Sequence, residues 1–483
     1  MPIRGRLVHW VFAIIALAAS VLWWPASSPA ANTLQYTPED WQRHVVRDIM
    51  PNFMTAQALG DPVGNFQSRR CDAQTDVPSG TTPAPRARCI SSGRYQRNQP
   101  LVGQSRMIFT YAAAFHMTGD VRYLDIAKRG TQYLFAHYIN DNGLFHQNVD
   151  RYKRTPSPQK STSSQMQAYG LIGPALLYTV THDAELLDRL VTIIRAMQQL
   201  HSGSDPGCYT NTQNASGFSP RLPDHLDHLN AYRTLLARQQ GPALAAAYGI
   251  TNLQTLACID THFYDPAQTL YRVKVLNAPE PAIDFGHTIK TLWFAEMVAQ
   301  KAAAFELFKA YRARADAVLR QAFLPKTGSW ATGYDTGKQL DPSSTWWVSA
   351  ELSQYAAFRA LTDDAFVPML NAANQFWLTT MVDKNAGGIW ARYRPEIGPD
   401  LARPKYREWK AGFHVLEHAL INYIVASYLL RGEAVLFYAA GQNDAARYHS
   451  AYLFPATLKK TAPVEGSEAH IVKVSYTNVG HLP

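Results

Sequence analysis

The sequence predicts an all-α fold, an (α/α)6 barrel or six-hairpin toroid in which short β-hairpins line a cleft. Two observations lead to this prediction. A turn followed by an aromatic residue returns six times along the chain, and the apolar residues between these turns follow a helical period. A fixed period of this kind is the signature of repeat architectures, in which each unit buries its apolar face against its neighbours.

The repeated feature is a turn rich in Asp, Gly or Pro that leads into an aromatic residue. Successive aromatics are 79, 64, 62, 59 and 60 residues apart. The one long interval contains the loop between Cys71 and Cys89, which we interpret as an insertion. A unit of about sixty residues holds two helices and a hairpin, so six units fill nearly the whole chain. The six aromatics are Phe66, Phe145, Tyr209, Tyr271, Trp330 and Trp390.

Between the turns the pattern is helical. Tyr123, Ala127, Gly130 and Leu134 share one face of a helix, which is the spacing expected of an element that packs on one side. Strand signals are confined to short aromatic stretches after the turns, and these predict small hairpins. Six helix pairs can close into a double-layered ring or stack into an open solenoid, and we predict the closed ring.

The N-terminal residues read as a targeting segment. Arg4 and Arg6 precede an apolar run from Leu7 to Trp24, and small residues follow the run. This order is typical of a cleaved signal peptide, and the run is also just long enough for an uncleaved membrane anchor. Both alternatives predict an exported protein, periplasmic or secreted, whose membrane association would come from this segment. We therefore divide the chain into a signal or anchor segment, the barrel domain and a C-terminal tail, at 1–31, 32–445 and 446–483.

The four cysteines fit an oxidising compartment. Their even number and the lack of C-x-x-C spacing favour disulfides over metal binding. Cys71 and Cys89 bracket a loop rich in Pro, Thr and Arg, and we predict that they are bonded. The pairing of Cys208 with Cys258 stays open at this level.

The composition favours a sugar over a nucleic acid as the partner. The formal net charge of +9 is spread along the chain, without a Lys/Arg run, a zinc-finger spacing or an RNP-like segment. Aromatic residues make up 12% of the chain and charged residues only 17%, a balance that suits stacking on sugar rings as well as core packing. We predict a sugar or glycan substrate, and neither a cofactor nor a metal ion.

Four clusters of polar and aromatic residues stand at the start or on the inside of predicted inner helices. In a barrel of this kind, these positions line the cleft. No single cluster is specific for one class of protein, but the order and spacing of all four along the chain are. The clusters cover 104–106, 286–293, 346–351 and 409–414.

These four clusters resemble the N-acylglucosamine 2-epimerase superfamily, which includes cellobiose 2-epimerases and aldose–ketose isomerases such as mannose isomerase. The resemblance extends from about Trp41 to Ala440. It implies that His287, in a Gly-His motif, and His414, shortly after a Trp-Lys pair, are the two catalytic acid/base residues. It also implies contacts with the substrate by Arg106, Trp293, Trp347, Glu351 and Lys410.

The chemistry of epimerisation explains why two histidines would be needed. A proton leaves the carbon next to a carbonyl and another returns to the opposite face, so two groups that titrate near neutrality must face each other. His287 and His414 are 127 residues apart, and a closed ring is the arrangement that would bring them together. Arg106 would stabilise the enediolate oxygen and Trp347 would hold the sugar face. We predict a sugar 2-epimerase or an aldose–ketose isomerase.

Three positions depart from the family pattern. Lys290 stands three residues after His287, where the family usually carries Glu, and Glu417 stands three residues after His414, where it usually carries Arg. We expect these two opposite changes to form an exchanged ion pair that alters the pKa of both histidines. Asp227 occupies the place of a further family histidine, with His225 and His228 close in sequence but shifted.

Three other functions stay open. An exported glycoside hydrolase on the same barrel needs two carboxylates, for which Glu351, Asp227 and Asp284 are the candidates; a polysaccharide lyase would use one of the two histidines as its base. The segment 414–418 fits H-x-x-E-H, a zinc-binding spacing. A glycan-binding protein that kept the barrel and lost the chemistry is the third alternative.

Overall fold

The computed structural model describes residues 33–70, 97–157, 163–237, 242–249, 251–279, 283–335, 338–440, 448, 450–466 and 470–481. The predicted signal or anchor segment and the predicted Cys71–Cys89 disulfide lie outside the described residues. The disulfide that the sequence left open is formed: Cys208 and Cys258 are bonded, with their Cα atoms 5.5 Å apart.

Most of the regular structure is helical. The described α-helices are α1 (Pro38–Arg43), α2 (Ala56–Leu59), α3 (Leu101–Thr118), α4 (Val121–Tyr138), α5 (Ser164–Thr181), α6 (Ala184–His201), α7 (Pro223–His228), α8 (Thr234–Ala237), α9 (Pro242–Tyr248), α10 (Asn252–Phe263), α11 (Phe285–Lys301), α12 (Phe305–Ala322), α13 (Trp346–Ala360), α14 (Val367–Phe376) and α15 (Phe413–Arg431). Segments of π-helix extend three of them, at His44–Ile49, Leu229–Arg233 and Trp377–Met381, and 3-10 turns lie at Met50–Asn52 and Asp364–Phe366.

The strands are short and belong to small antiparallel sheets. They are β1 (Asn98–Pro100), β2 (Asn148–Asp150), β3 (Thr155–Pro156), β4 (Tyr264–Asp265), β5 (Leu270–Tyr271), β6 (Ile283–Asp284), β7 (Phe323–Leu324), β8 (Ser329–Trp330), β9 (Gly333–Tyr334), β10 (Leu340–Asp341), β11 (Ser344–Thr345), β12 (Arg392–Arg394), β13 (Gly398–Pro399), β14 (Ala434–Tyr438), β15 (Ser450–Ala451), β16 (Phe454–Pro455), β17 (Thr457–Pro463) and β18 (Val472–Thr477). The three-stranded sheets have the orders β1-β2-β3, β10-β9-β6, β11-β12-β13 and β14-β18-β17.

The long helices form an inner and an outer set. The inner helices α3, α5, α11, α13 and α15 are buried on nearly all sides, whereas α4, α6 and α12 bury one face and expose charged residues on the other. A helix that is apolar all round requires neighbours all round, which an inner layer provides. Helix α15 is also long and apolar enough to cross a membrane, but it is packed inside the protein.

The inner helices follow one another in chain order. Helix α3 packs against α5, α5 against α7, α11 against α13, α13 against α15, and α15 returns to α3. Between α7 and α11 the link is made by α8, which contacts α11. The N-terminal helix α1 packs against α15, so the two ends of the described chain together supply one inner and outer pair.

The repeated turn is a structural repeat. Outer helices end in a short pairing of two extended residues, and the repeated aromatic or its neighbour is one of the two partners. The pairs are Ile139 with Phe145, Ser202 with Tyr209, Tyr264 with Tyr271, Phe323 with Trp330, and Val382 with Ile389, which precedes Trp390. The short hairpins predicted from the sequence therefore exist at these turns.

The region that we assign as a C-terminal tail contributes strands that cover one end of the helices. Strand β18 pairs with both β14 and β17. The backbone of β14 contacts the C-terminal end of α3, where the carbonyl of Phe437 lies 3.0 Å from Nδ1 of His116. The amide of Ala439, just after β14, donates to Val180 near the end of α5. The N-terminal ends of α3 and α5 are therefore the ends that point away from these strands.

Candidate active site

The N-terminal parts of the inner helices bring the candidate residues together. The ring of Trp347 contacts both histidines, with its centroid 4.8 Å from that of His287 and 6.0 Å from that of His414. The two histidines predicted from the sequence therefore share one tryptophan neighbour, although 127 residues separate them. Each inner position contributes to the surroundings: Arg106 from α3, Tyr169 from α5, Asp227 from α7, His287 and Lys290 from α11, Trp347 and Glu351 from α13, and His414 and Glu417 from α15.

His287 is oriented by Asp284. The Asp284 carboxylate caps α11: one oxygen accepts from the backbone N–H of His287 at 2.6 Å, and the other lies 2.7 Å from Nδ1 of the same residue. This contact fixes the ring and leaves Nε2 as the nitrogen available to a ligand. The His287 side chain is 21% exposed. Its neighbour Gly286 is required by close packing, because a Cβ there would lie 2.4 Å from the Trp347 ring.

His414 has a different environment. Its side chain is only 6% exposed, and its Nδ1 is 3.1 Å from Oε1 of Glu351, although the two atoms are not aligned for a hydrogen bond. Burial lowers the pKa of His414 well below its ordinary value, and the positive charges of Arg106 and Lys290 lower it further. His414 is therefore a neutral imidazole at pH 7, able to accept a proton.

Lys290 forms a buried ion pair with Asp227. The two charged atoms are 2.7 Å apart, and Lys290 also donates to the hydroxyl of Tyr169 at 3.3 Å. Gln165 donates to the second oxygen of Asp227 at 2.8 Å. Burial acts to raise the pKa of Asp227, but Lys290 and these hydrogen bonds leave it lowered. The prediction that Lys290 forms an ion pair with Glu417 is wrong, because Asp227 from α7 lies within direct reach of the ammonium group.

Glu417 is instead paired with a residue from the C-terminal region. The hydroxyl of Tyr452 donates to Oε1 of Glu417 at 2.6 Å. Burial raises the pKa of both Glu417 and Glu351, and each carboxyl group therefore holds a proton more readily than an exposed one. Lys290 acts in the opposite direction on both carboxyl groups, so it still influences Glu417 without contacting it.

Glu351, His414 and Glu417 could hold a metal ion by their geometry, since their ligand atoms lie within 4.8 Å of one another. The surrounding charge opposes this use. Lys290 and Arg106 both act electrostatically on the two carboxyl groups, and a divalent cation would have to enter beside them.

Arg106 stands in a cage of aromatic rings. Its guanidinium carbon is 4.3 Å from the ring centroid of Tyr169, 5.0 Å from that of Trp409 and 5.2 Å from that of Phe413. It donates to the backbone carbonyl of Trp409. Its buried Nε–H has no acceptor among the described residues. Arg106 therefore retains one donor for a ligand, and its role in substrate binding stays a prediction.

Two other predicted substrate contacts have structural roles. Trp293 is 1% exposed and its ring lies 5.6 Å from Phe294 and 6.2 Å from Phe358, so it belongs to the core and not to the cleft. Lys410 donates to the backbone carbonyl of Ile389 at 2.6 Å, a bond that joins the loop before α15 to the preceding turn. Both residues were selected by spacing, which does not distinguish a cleft-facing side chain from a buried one.

The remaining histidines of the predicted motifs serve packing. His225 accepts from the backbone N–H of Tyr209, and His228 stacks on the Tyr209 ring at 3.5 Å. His418 lies 4.4 Å from the ring of Trp377 and 5.3 Å from that of Trp41. Because His418 packs among these rings, the H-x-x-E-H segment does not offer His414 and His418 to one metal ion.

Sequence reasoning missed two residues of the site. Tyr169 lies in an apolar helix and carries no motif, and its helical position alone does not distinguish it from core tyrosines. Tyr452 lies in a region that resembles no part of a barrel unit. Its φ of +58° indicates a tightly constrained backbone, but that feature is visible in the structure and not in the sequence.

The chain is similar in fold to several solved structures that are named as sugar epimerases or isomerases. The cellobiose 2-epimerase from Spirochaeta thermophila DSM 6192 has 18% sequence identity and a TM-score of 0.65, covering 82% of this chain and 97% of its own. The cellobiose 2-epimerase from Bacillus thermoamylovorans B4167 has 16% identity and a TM-score of 0.66, covering 80% and 98%. A D-mannose isomerase has 15% identity and a TM-score of 0.61, covering 82% and 99%.

At these identities the likeness establishes the fold. Glycoside hydrolases also match, with lower TM-scores. No protein-family model matches the sequence, and no curated protein matches it. The mostly helical architecture with short strands predicted from the sequence is therefore confirmed, and the chemistry has to be argued from the site.

Proposed function

We propose that this chain is a closed (α/α)6-barrel enzyme that epimerises or isomerises a sugar by proton transfer next to its carbonyl carbon. The observation that carries the proposal is that His287 and His414 both contact the ring of Trp347 and so belong to one site. The return of α15 to α3 supports the closed ring. The likeness to sugar epimerases and an isomerase supports a sugar as substrate.

The two histidines have complementary roles in this mechanism. Neutral His414 accepts the proton from carbon, since burial and nearby cations oppose its protonation at rest. His287 donates a proton on the opposite face, with its ring held by Asp284 at Nδ1 and its Nε2 left for the substrate. Arg106, with its unused N–H, stabilises the negative oxygen of the enediolate. In the reverse direction, the two histidines exchange roles.

A hydrolase is the second candidate, and its proposed carboxylates are already engaged. Asp227 is held by Lys290 and Gln165, and Asp284 by His287. Glu351 is 1% exposed and lies beside His414. A glycosidase requires one carboxyl group as acid and a second across the bond, both within reach of the substrate. The site offers two histidines to a ligand more readily than it offers two carboxylates.

We also propose that the enzyme is exported. The order of basic, apolar and small residues at 1–31 supports a signal peptide or an anchor. The Cys208–Cys258 disulfide is the kind of bond that persists in an oxidising compartment.

The proposal is tested by incubating the protein in deuterated water with a panel of free sugars, disaccharides and glycans. Deuterium should appear at C2, and His287→Ala and His414→Ala should each lower the rate of incorporation about 10²–10⁴-fold. His470→Ala is the matched control, since this exposed histidine lies in the C-terminal region and its loss should leave the rate unchanged.

The same experiment separates the alternatives. Lack of deuterium across the whole panel would overturn the proposal. A product with ultraviolet absorbance from a new double bond would establish a lyase. Binding that needs Trp347 and is indifferent to both His→Ala changes would establish a glycan-binding protein.

A further inference from the structure

Arg407 lies in the loop before α15 and has an unused donor. Its guanidinium carbon is 5.3 Å from the ring centroid of Trp346, the residue before Trp347. Its Nε–H is buried and has no acceptor among the described residues. A buried N–H of a charged group without an acceptor is costly, and a ligand that supplies one would remove that cost.

Arg106 also has a donor that no described protein group accepts. Its Nε–H is buried and has no acceptor in the described part of the chain, and the side chain is 2% exposed. Burial lowers the pKa of Arg407, the charge of Glu408 opposes this effect, and repulsion from Arg403 and Arg106 adds to it. Arg106 and Arg407 each retain a buried Nε–H without an acceptor among the described residues.

The carboxylates of this loop are engaged elsewhere. Glu408, next to Arg407 in sequence, forms an ion pair with Arg69 at 2.8 Å. Asp400 lies 3.2 Å from Arg403. Glu408 also attracts Arg407 through its charge, but the Nε–H of Arg407 has no carboxylate acceptor among the described residues. An oxyanion is the group that fits, since guanidinium N–H donors match its oxygens in charge and shape.

We propose that the substrate of this site is a sugar that carries an anionic oxygen group, and that Arg407 binds that group while Arg106 serves the enediolate oxygen. The chemistry is shared by a carboxylate, a sulfate and a phosphate ester. The inference rests on the proposed function in taking the ligand to be a sugar. It goes further in assigning a charge to the substrate and a specificity role to Arg407.

The test compares the affinity of four sugars for the full-length protein: glucose, glucuronate, glucose 6-sulfate and glucose 6-phosphate, measured by calorimetry. At least one anionic sugar should bind about ten- to one-hundredfold more tightly than glucose, which is the range for hydrogen bonds to charged groups. Whichever anionic sugar binds most tightly identifies the group. The preference should weaken as salt is added.

Variants locate the effect. Arg407→Ala should abolish the preference for the anionic sugar and leave the affinity for glucose unchanged, while Arg407→Lys should retain part of it. Arg403→Ala is the matched control, because it removes one positive charge from the same loop at a side chain that is 45% exposed and paired with Asp400. A thermal melt of each variant checks that it is folded.

The outcomes separate this inference from the proposed function. Equal affinities for glucose and all three anionic sugars would overturn the inference, as would equal effects of Arg403→Ala and Arg407→Ala. Deuterium incorporation into neutral sugars alone would leave the function standing and remove the inference. An anionic preference that depends on Arg407, without deuterium incorporation in any sugar, would support the anion site and overturn the epimerase.

Discussion

The two halves of the candidate site use the same side chain in opposite surroundings. In one half, His287 begins a helix, is partly exposed, and has its Nδ1 2.7 Å from the capping carboxylate of Asp284. In the other, His414 is buried, and Glu351 lies 3.1 Å away without hydrogen-bond alignment. Three residues further along the helix of His414, Glu417 accepts a hydrogen bond from the hydroxyl of Tyr452.

This difference separates the two halves chemically. Asp284 holds the ring of His287 through Nδ1, whereas burial and nearby cations lower the pKa of His414 and keep it neutral. A histidine oriented by a carboxylate and a histidine kept neutral by its surroundings are suited to different roles in one proton-transfer reaction. Lys290 connects the halves, since it lies on the helix of His287 and its charge acts on His414 and Glu351.

The largest expected effect comes from removing this connection. Lys290→Met leaves Asp227 buried without its ion-pair partner, which should lower the free energy of unfolding by about 3–5 kcal/mol, measured by denaturant unfolding. Lys405→Met is the control, because it breaks another buried pair, with Asp383. Both variants should lose stability, but the pH dependence of deuterium incorporation should change only with Lys290→Met. The same change with Lys405→Met would show that the effect is not specific to the site.

Asp284→Asn tests the His287 half by itself. Asparagine caps a helix about as well as aspartate, so stability should be nearly unchanged, while loss of the charge at Nδ1 should lower the rate about 10²-fold. The control variant is Asp183→Asn at the N-terminus of α6. The side chain of Asp183 accepts a hydrogen bond from the backbone N–H of Leu186. This control should leave the rate unchanged. An unaltered rate in Asp284→Asn would mean that the reaction does not use the charge of Asp284.

The smallest effect concerns the carboxyl groups under His414 and appears as a pH dependence of stability. Burial raises the pKa of Glu417, so the folded state binds a proton at Glu417 more readily than the unfolded state does. Its contribution is therefore present at low pH and is lost as pH rises above the ordinary value of 4.5. Glu417→Gln removes this pH-dependent loss of stability. The melting temperature of the variant relative to the natural protein should rise between pH 5 and pH 8, and a constant difference would contradict the assignment.

Several parts of the site could be predicted because they carry local signals. The Gly286-His287 motif was identified in this way, whereas Asp284 was named only as a candidate hydrolase carboxylate and is seen to cap the helix of His287 in the structure. The repeated turns carried enough information to place helix ends, since an aromatic after a turn pairs with the end of the outer helix. The partner of Lys290 could not be predicted in this way. Asp227 and Glu417 were both available as acids, and which one reaches the ammonium depends on how α7 and α15 pack against α11.

The sequence by itself determined the repeat, the helical layers and the two histidines that contact Trp347, because periodicity and motif spacing are properties of the chain. Only the tertiary structure decided the surroundings of those histidines. Helix α1 completes the pair with α15, and Tyr452 reaches Glu417 from the C-terminal region. The physical reason is that ion pairing and burial depend on distances between side chains that are far apart in sequence, and local patterns do not encode those distances.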